Sequence, residues 1–171
     1  MAETLADIGR ETCKGMGGIS HFLVAEWDDA KSFEITDGEA AVPVSGGYEA
    51  VDFKKFVTTK KTSNWIQAAT GSSETGTFVN VETATIMFDK YEATKRAALS
   101  SIACKTVIII AIDQNGQGVL LGHFDGLDMA TVAGGSGTAP TDKNGIDLTF
   151  TGTSDKLVPT IAQSEIDKLI A

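Results

Sequence analysis

The sequence predicts a mainly β protein, an antiparallel β-sandwich or partly open barrel with one flanking α-helix over about 89–103. Three observations predict it. Apolar residues recur in short runs, several of them alternating with polar residues as half-buried strands do. Most of the 18 glycines sit between those runs, where turns would be. Only one long segment, Asp89 to Ala103, changes to helical spacing. No βαβ rhythm and no repeat at a fixed period is present, which argues against parallel and solenoid architectures. Residues 1–171 read as one domain, with an N-terminal arm over 1–18 and a long hairpin over 51–88.

Taken in order, the arm ends in Gly15-Met16-Gly17-Gly18 and a first strand runs from Ile19 to Trp27. After the turn Asp28-Asp29-Ala30-Lys31, the alternation of Phe33 and Ile35 with Ser32, Glu34 and Thr36 gives a second strand, closed by the turn signal Asp37-Gly38. Glu39 to Tyr48 is a looser stretch around Pro43 and Gly46-Gly47. Val51 to Ala69 and Thr77 to Phe88 form the arms of the long hairpin, and Thr70 to Gly76 its polar tip. In the helical segment Asp89 and Glu92 have capping-box spacing, and Tyr91, Ala98, Leu99 and Ile102 make the apolar stripe. Val107 to Ile112 is a β-branched run suited to a fully buried strand. Across the turn Asp113-Gln114-Asn115-Gly116 its hairpin partner is Gln117 to Phe124. Gly126 to Asn144 reads as a long connection, Ile146 to Thr151 as an alternating strand, and Ser164 to Ile170 as a short closing helix. The sum is about seven strands.

Two runs are apolar on both faces. In Thr77 to Phe88, one face carries Val79, Val81, Thr83, Thr85 and Met87, and the other Phe78, Asn80, Glu82, Ala84, Ile86 and Phe88. The first strand is similarly two-sided. A strand with one wet face should alternate cleanly. Two explanations remain open: the second face meets another copy of the chain, or it is covered within the domain.

Composition narrows the functional classes. The formal net charge is −9, whereas a protein that grips nucleic acid by its phosphates is basic. The acidity serves solubility or presents a surface that DNA passes without sticking. Lys54, Lys55, Lys60 and Lys61 are a local basic cluster that solvates a strand or pairs with acidic groups on a neighbouring copy. The two cysteines, Cys13 and Cys104, lack metal-finger spacing and fit buried thiols better than a disulfide framework. The N-terminus has no secretory pattern, and the longest apolar run is too short to span a bilayer, which places the chain in a cytoplasm-like compartment until it assembles.

No reaction centre is legible, so the expectation is that the protein is not an enzyme. His21 and His123 have no companions at ligand spacing, and no cofactor or metal is expected. No serine sits in a nucleophile elbow. Gly116-Gln117-Gly118 and Gly134-Gly135-Ser136-Gly137 lack the lysine and helix of a phosphate loop. Asp113 to Gly116 and Asp142 to Gly145 lack the later glutamate of a calcium loop, so turn chemistry explains both.

Several segments resemble the tail tube proteins of tailed bacteriophages, in particular those of phages infecting Bacteroidetes-type hosts. These are Gly17-Gly18-Ile19 followed by Phe22 to Trp27; the helix, β-branched strand, turn and Leu-Gly strand ending over Asp113 to Gly122; Asp142-Lys143-Asn144-Gly145 leading into Leu148 to Gly152; and the stretch around Pro159. The resemblance covers most of the chain as loose patterns. It implies a β-sandwich with one flanking helix, six copies closing into a ring whose inner sheets join as a barrel, and rings stacked into a tube for the genome. It also implies contacts to other tail proteins, DNA passage without specific binding, assembly in the host cytoplasm and a final location in the virion tail, with no membrane association. On that reading Glu26, Glu34, Glu82 and Asp147 are candidates to line the bore. Trp65, Ile66, Gly71, Ser72, Ser73 and Glu74 are candidates to contact the next ring. The alternative is a monomeric β-sandwich module that binds a ligand or carbohydrate.

Overall fold

A computed structural model of the chain describes residues 17–58, 62–139 and 141–170. The arm over 1–18, Cys13, Lys60, Lys61 and Pro140 thus lie wholly or mostly outside the described residues. The fold is mainly β, with two sheets that do not close into a barrel and two helices. The first sheet has seven strands: β1 (Ile19–Glu26), β2 (Glu34–Thr36), β3 (Glu39–Ala41), β4 (Lys54–Val57), β7 (Val107–Asp113), β8 (Gly118–Leu121) and β11 (Thr160–Ile161). Their spatial order is β2-β3-β11-β8-β7-β1-β4. The second sheet has four strands, β5 (Asn64–Ser72), β6 (Thr77–Asp89), β9 (Asp128–Gly135) and β10 (Gly145–Ser154), in the order β5-β6-β10-β9. The helices are α1 (Ala93–Ile102) and α2 (Gln163–Ile170).

The sheets pack face to face through alternate residues. Phe22 and Val24 of β1 and Val107, Ile109 and Ala111 of β7 meet Ala84, Ile86 and Phe88 of β6 and Ile146, Leu148 and Phe150 of β10. Leu99 and Ile102 of α1 pack into the same core. The residues between them in sequence point the other way. Leu23, Ala25, Ile108, Ile110 and Ile112 are buried on the outer face of the seven-stranded sheet, under Ile166 and Leu169 of α2 and under Tyr48 and Phe53 of the 42–53 segment. That segment is held down by a Lys31–Asp52 ion pair of 2.6 Å, by the Asp28 N–H donating to the Tyr48 hydroxyl at 2.9 Å, and by stacking of Phe33 on Tyr48 at 5.4 Å. The two-sided apolar pattern of β1 is therefore satisfied within the chain.

Several expectations are corrected. The rising arm of the long hairpin is two strands in different sheets. β4 pairs with β1, the chain crosses between layers, and only β5 pairs with β6. The predicted connection over 126–144 contains β9, held to β10 by backbone pairing over Gly145–Gly135 to Thr151–Asp128. The helical segment starts at Ala93 and not Asp89, because the β6–β10 ladder runs out to the Asp89–Gly145 pair. Lys90 then takes a left-handed φ of 59°, and Glu92 precedes the helix without a side-chain cap. Cys104 is exposed. The Asp37-Gly38 turn joins β2 and β3 as a two-residue hairpin with positive φ at both positions, 52° and 81°, which is why glycine follows aspartate there.

Candidate assembly surface

β6 runs down the middle of the four-stranded sheet and shows what that sheet does with its two faces. Asn80, Glu82, Ala84, Ile86 and Phe88 point into the sandwich and are buried. Val79, Val81, Thr83, Thr85 and Met87 point away from it. The register aligns them with Ile66, Ala68 and Thr70 of β5 and with Asp147, Thr149, Thr151 and Thr153 of β10. No helix or loop of the described residues packs a second core on this face: Val79 is 46% exposed, Val81 40% and Ile66 53%. The result is a bare sheet of threonines and small apolar side chains. None of its four strands contains a lysine or an arginine. Asp147 stands on it, paired to Lys143 of the preceding turn.

Among the described residues the sheet also has two bare edges. β5 pairs only with β6, and β9 only with β10, so each presents a row of unpaired backbone groups along its outer side. Beyond the Asn80–Ser154 pair, β6 has no partner except β5. The last three pairs, Thr70–Val79, Gly71–Phe78 and Ser72–Thr77, form a free-standing two-stranded ribbon closed by residues 73–76. Phe78 and Val79, each 46% exposed, lie on opposite faces of this ribbon. A two-stranded ribbon alone in water is marginal, so it gains from a surface to lie on.

The predicted bore carboxylates are not brought together. Asp147 is on the bare face. Glu26 ends β1 in the other sheet and pairs with Lys105 at 2.5 Å, and Glu34 is exposed on β2 at that sheet's edge. Glu82 cannot face a lumen: it is 1% exposed inside the sandwich, because its position in the β6 alternation is the core one. Its carboxylate accepts the Gly122 N–H at 2.7 Å and lies 2.7 Å from the Ser154 hydroxyl. That hydroxyl also sits 2.7 Å from the Lys156 carbonyl and accepts from Asn80 Nδ2 at 3.2 Å. The predicted inter-ring contacts also split. Trp65 packs on the inter-sheet core opposite Ala84, well back from the tip. Ile66 belongs to the bare face, and Gly71, Ser72, Ser73 and Glu74 are exposed at the ribbon's end. That these strands lack lysine and arginine escaped the sequence reading, although a signal exists: neither residue occurs between Lys61 and Lys90 or between Lys105 and Lys143.

Chemistry elsewhere is sparse. His21 lies on β1, and its burial and the nearby Lys55 charge hold its pKa below the usual value. His123 lies in the β8–β9 connection and is lowered by burial above all. Among the described residues no three histidine, cysteine or acidic side chains could share a metal ion. A hollow of about 340 Å³ opens beside Glu39, Gln117, Thr160 and Gln163, and another of about 260 Å³ lies on the bare face between Val81, Asp125, Asp128 and Thr153. Both are open to solvent. No helix among the described residues is long and apolar enough to cross a membrane. No protein-family model, curated protein or solved structure matches the chain.

Proposed function

We propose that the chain is a structural subunit that assembles with its own copies, in the manner of a phage tail tube. Copies join head to tail through the free edges of β5 and β9, so that their four-stranded sheets continue into one barrel. Rings of such copies stack into a conduit in a virion tail, assembled in the host cytoplasm alongside other tail proteins. The observation that carries this reading is the four-stranded sheet itself, with one bare face, no lysine or arginine in its strands and two edges unpaired among the described residues. A monomer leaves such edges open to aggregation, and a closed barrel removes them. The outer sheet is wider than the inner one, seven strands against four, so each copy is a wedge. Wedges joined edge to edge curve toward the narrow layer, which turns the bare face inward.

Six copies would give a barrel of 24 strands (6 × 4). Barrels of about 16–18 strands already leave an aqueous channel. A wall of threonine, valine and methionine with scattered carboxylates, and no lysine or arginine in its strands, lacks the row of cations that holds phosphates, so a genome slides past it without specific binding. The exposed ribbon at residues 70–79 is the natural contact to the next ring. No particular feature favours a ligand-binding module, since both hollows are open.

Electron microscopy and sizing of the purified protein over a concentration series test this reading. Rings or rods at high concentration support it, and a chain that stays monomeric throughout overturns it. Deleting Gly71 to Gly76 is expected to leave rings but stop rod growth. Normal rods from the deletion would remove the ribbon from the inter-ring contact.

A further inference from the structure

Among the described residues the outer, seven-stranded sheet also ends in two free edges, and they carry opposite charge. At one end β4 presents Lys54 and Lys55, both exposed, on a strand that pairs only with β1. At the other, β2 and its hairpin present Glu34, Asp37 and Glu39, all exposed, beyond β3. None of Glu34, Asp37, Glu39 or Lys55 forms an ion pair among the described residues. Asp52, an acid close enough to Lys54 for the two charges to interact, is already bound to Lys31 at 2.6 Å. Charges on edge strands also guard against aggregation, but like signs on both edges would serve that end as well. Opposite signs on opposite edges of one sheet do something further: they make the two ends of the molecule complementary.

The topology places these edges on the flanks that a head-to-tail ring brings together. β4 leads through residues 58–63 into β5, and Phe56 of β4 meets Phe88 of β6 with ring centroids 5.6 Å apart. The basic edge therefore lies over the Phe88 end of β6. The Val107–Leu127 bridge sets the start of β9 under β7, whereas β5 lies further toward β2, where the Val158 N–H, just before β11, donates to Gln67 Oε1 of β5 at 3.1 Å. From β9 to β5 the inner sheet thus runs in the direction β7 to β11 of the outer one, so the acidic edge lies on the β5 flank and the basic edge on the β9 flank.

We propose that the outer edge of β4 in one copy docks against the β2–β3 hairpin of the next, Lys54 and Lys55 facing Glu34, Asp37 and Glu39. This rests on the ring reading above and adds its register and polarity: the charges forbid β4 from meeting β4 and β2 from meeting β2, so only a head-to-tail contact forms. Long-range attraction between the flanks also makes assembly fast and salt-sensitive.

The test uses two full-length variants. Lys54→Glu with Lys55→Glu makes both edges acidic, and Glu34→Lys with Asp37→Lys and Glu39→Lys makes both basic. All five positions are exposed, so thermal melts should stay close to those of the unmodified protein. The expected result is that each variant alone needs roughly tenfold more protein to form rings or rods, or forms none. Mixed in equal amounts they should co-assemble at ordinary concentrations in one-to-one ratio, because alternating copies restore every contact. Rods of the unmodified protein should need more protein as salt rises. If both variants assemble alone as well as the unmodified protein, or if folded variants fail even when mixed, the edge contact is wrong while the ring stands. If the unmodified protein itself never assembles, the ring reading falls and this inference with it.

Discussion

In the seven-stranded sheet, β1 and β7 are buried on both faces by the chain itself, between the second sheet on one side and α2 with the 42–53 segment on the other. In the four-stranded sheet, β6 and β10 bury one face and leave the other bare. The sequences record the difference. Val-Ile-Ile-Ile-Ala-Ile in β7 has no polar residue at all, whereas the outward positions of β6 and β10 are mostly threonine and valine, side chains that tolerate either water or a neighbouring surface. A sheet covered twice acts as scaffold. A sheet covered once, with no lysine or arginine in its strands and its edges unpaired among the described residues, keeps a surface that the monomer does not bury.

Removing side-chain volume sets the two sheets furthest apart. Ile110→Ala, in the doubly covered sheet, should cost about 3 kcal/mol of folding stability by denaturant titration, since the side chain is fully buried and leaves a cavity. Val81→Ala on the bare face should cost under about 0.5 kcal/mol. Equal losses would mean that Val81 is covered in the monomer.

A smaller effect is expected inside the singly covered sheet. Glu82→Ala deprives the Gly122 N–H of its acceptor and the Ser154 hydroxyl of a partner, at a cost of about 2 kcal/mol. Glu82→Gln should recover part of this, because its amide can accept only one of the two bonds. An unchanged melting temperature in both variants would show the buried carboxylate to be dispensable.

Adding charge probes the face without probing the core. Thr83→Lys with Thr149→Lys should leave the melt within about 0.5 kcal/mol of the parent. If that face lines a conduit, assembled particles of the variant should retain DNA in a salt-sensitive way that parent particles do not. DNA retention by neither, despite normal assembly, would place the face elsewhere than the bore.

The smallest expected effect is acid lability. Burial holds the pKa of His123 below the ordinary 6.5, and burial together with Lys55 does the same for His21. The unfolded chain then binds more protons than the folded one below pH 6.5. The stabilisation is fully present above that value and is lost as pH falls through the folded-state values. Thermal melts between pH 7.5 and 5 should show the decline. His123→Gln should flatten it if the Glu82 neighbourhood is the weak point, and His21→Gln if the outer sheet is.

The sandwich was legible where side chains alternate or are β-branched, as in β1, β6, β7 and β10. β9 was not, because Asp-Met-Ala-Thr-Val-Ala-Gly-Gly has no strong pattern, and backbone pairing to β10 is what makes it a strand. The start of α1 was misplaced for a related reason: capping spacing at Asp89 and Glu92 yields to a ladder that claims Asp89 first. Of the residues singled out for a bore or an inter-ring contact, Glu26, Glu34, Asp147, Ile66 and the tip residues are at least partly exposed. Glu82 and Trp65 face the core instead, since a strand's period of two fixes which residues share a face but not which face is inside.

By itself, then, the sequence determined the mainly β class, the buried β7, the turns at Asp37-Gly38 and Asn115-Gly116 and the acidic balance, all of which follow from local periodicity and composition. Only the tertiary structure decided how the two-sided strands differ. α2 and Tyr48, remote in sequence, cover the second face of β1, and nothing among the described residues covers the second face of β6. That choice is made by contacts between segments far apart in the chain, to which a pattern read over ten residues is blind.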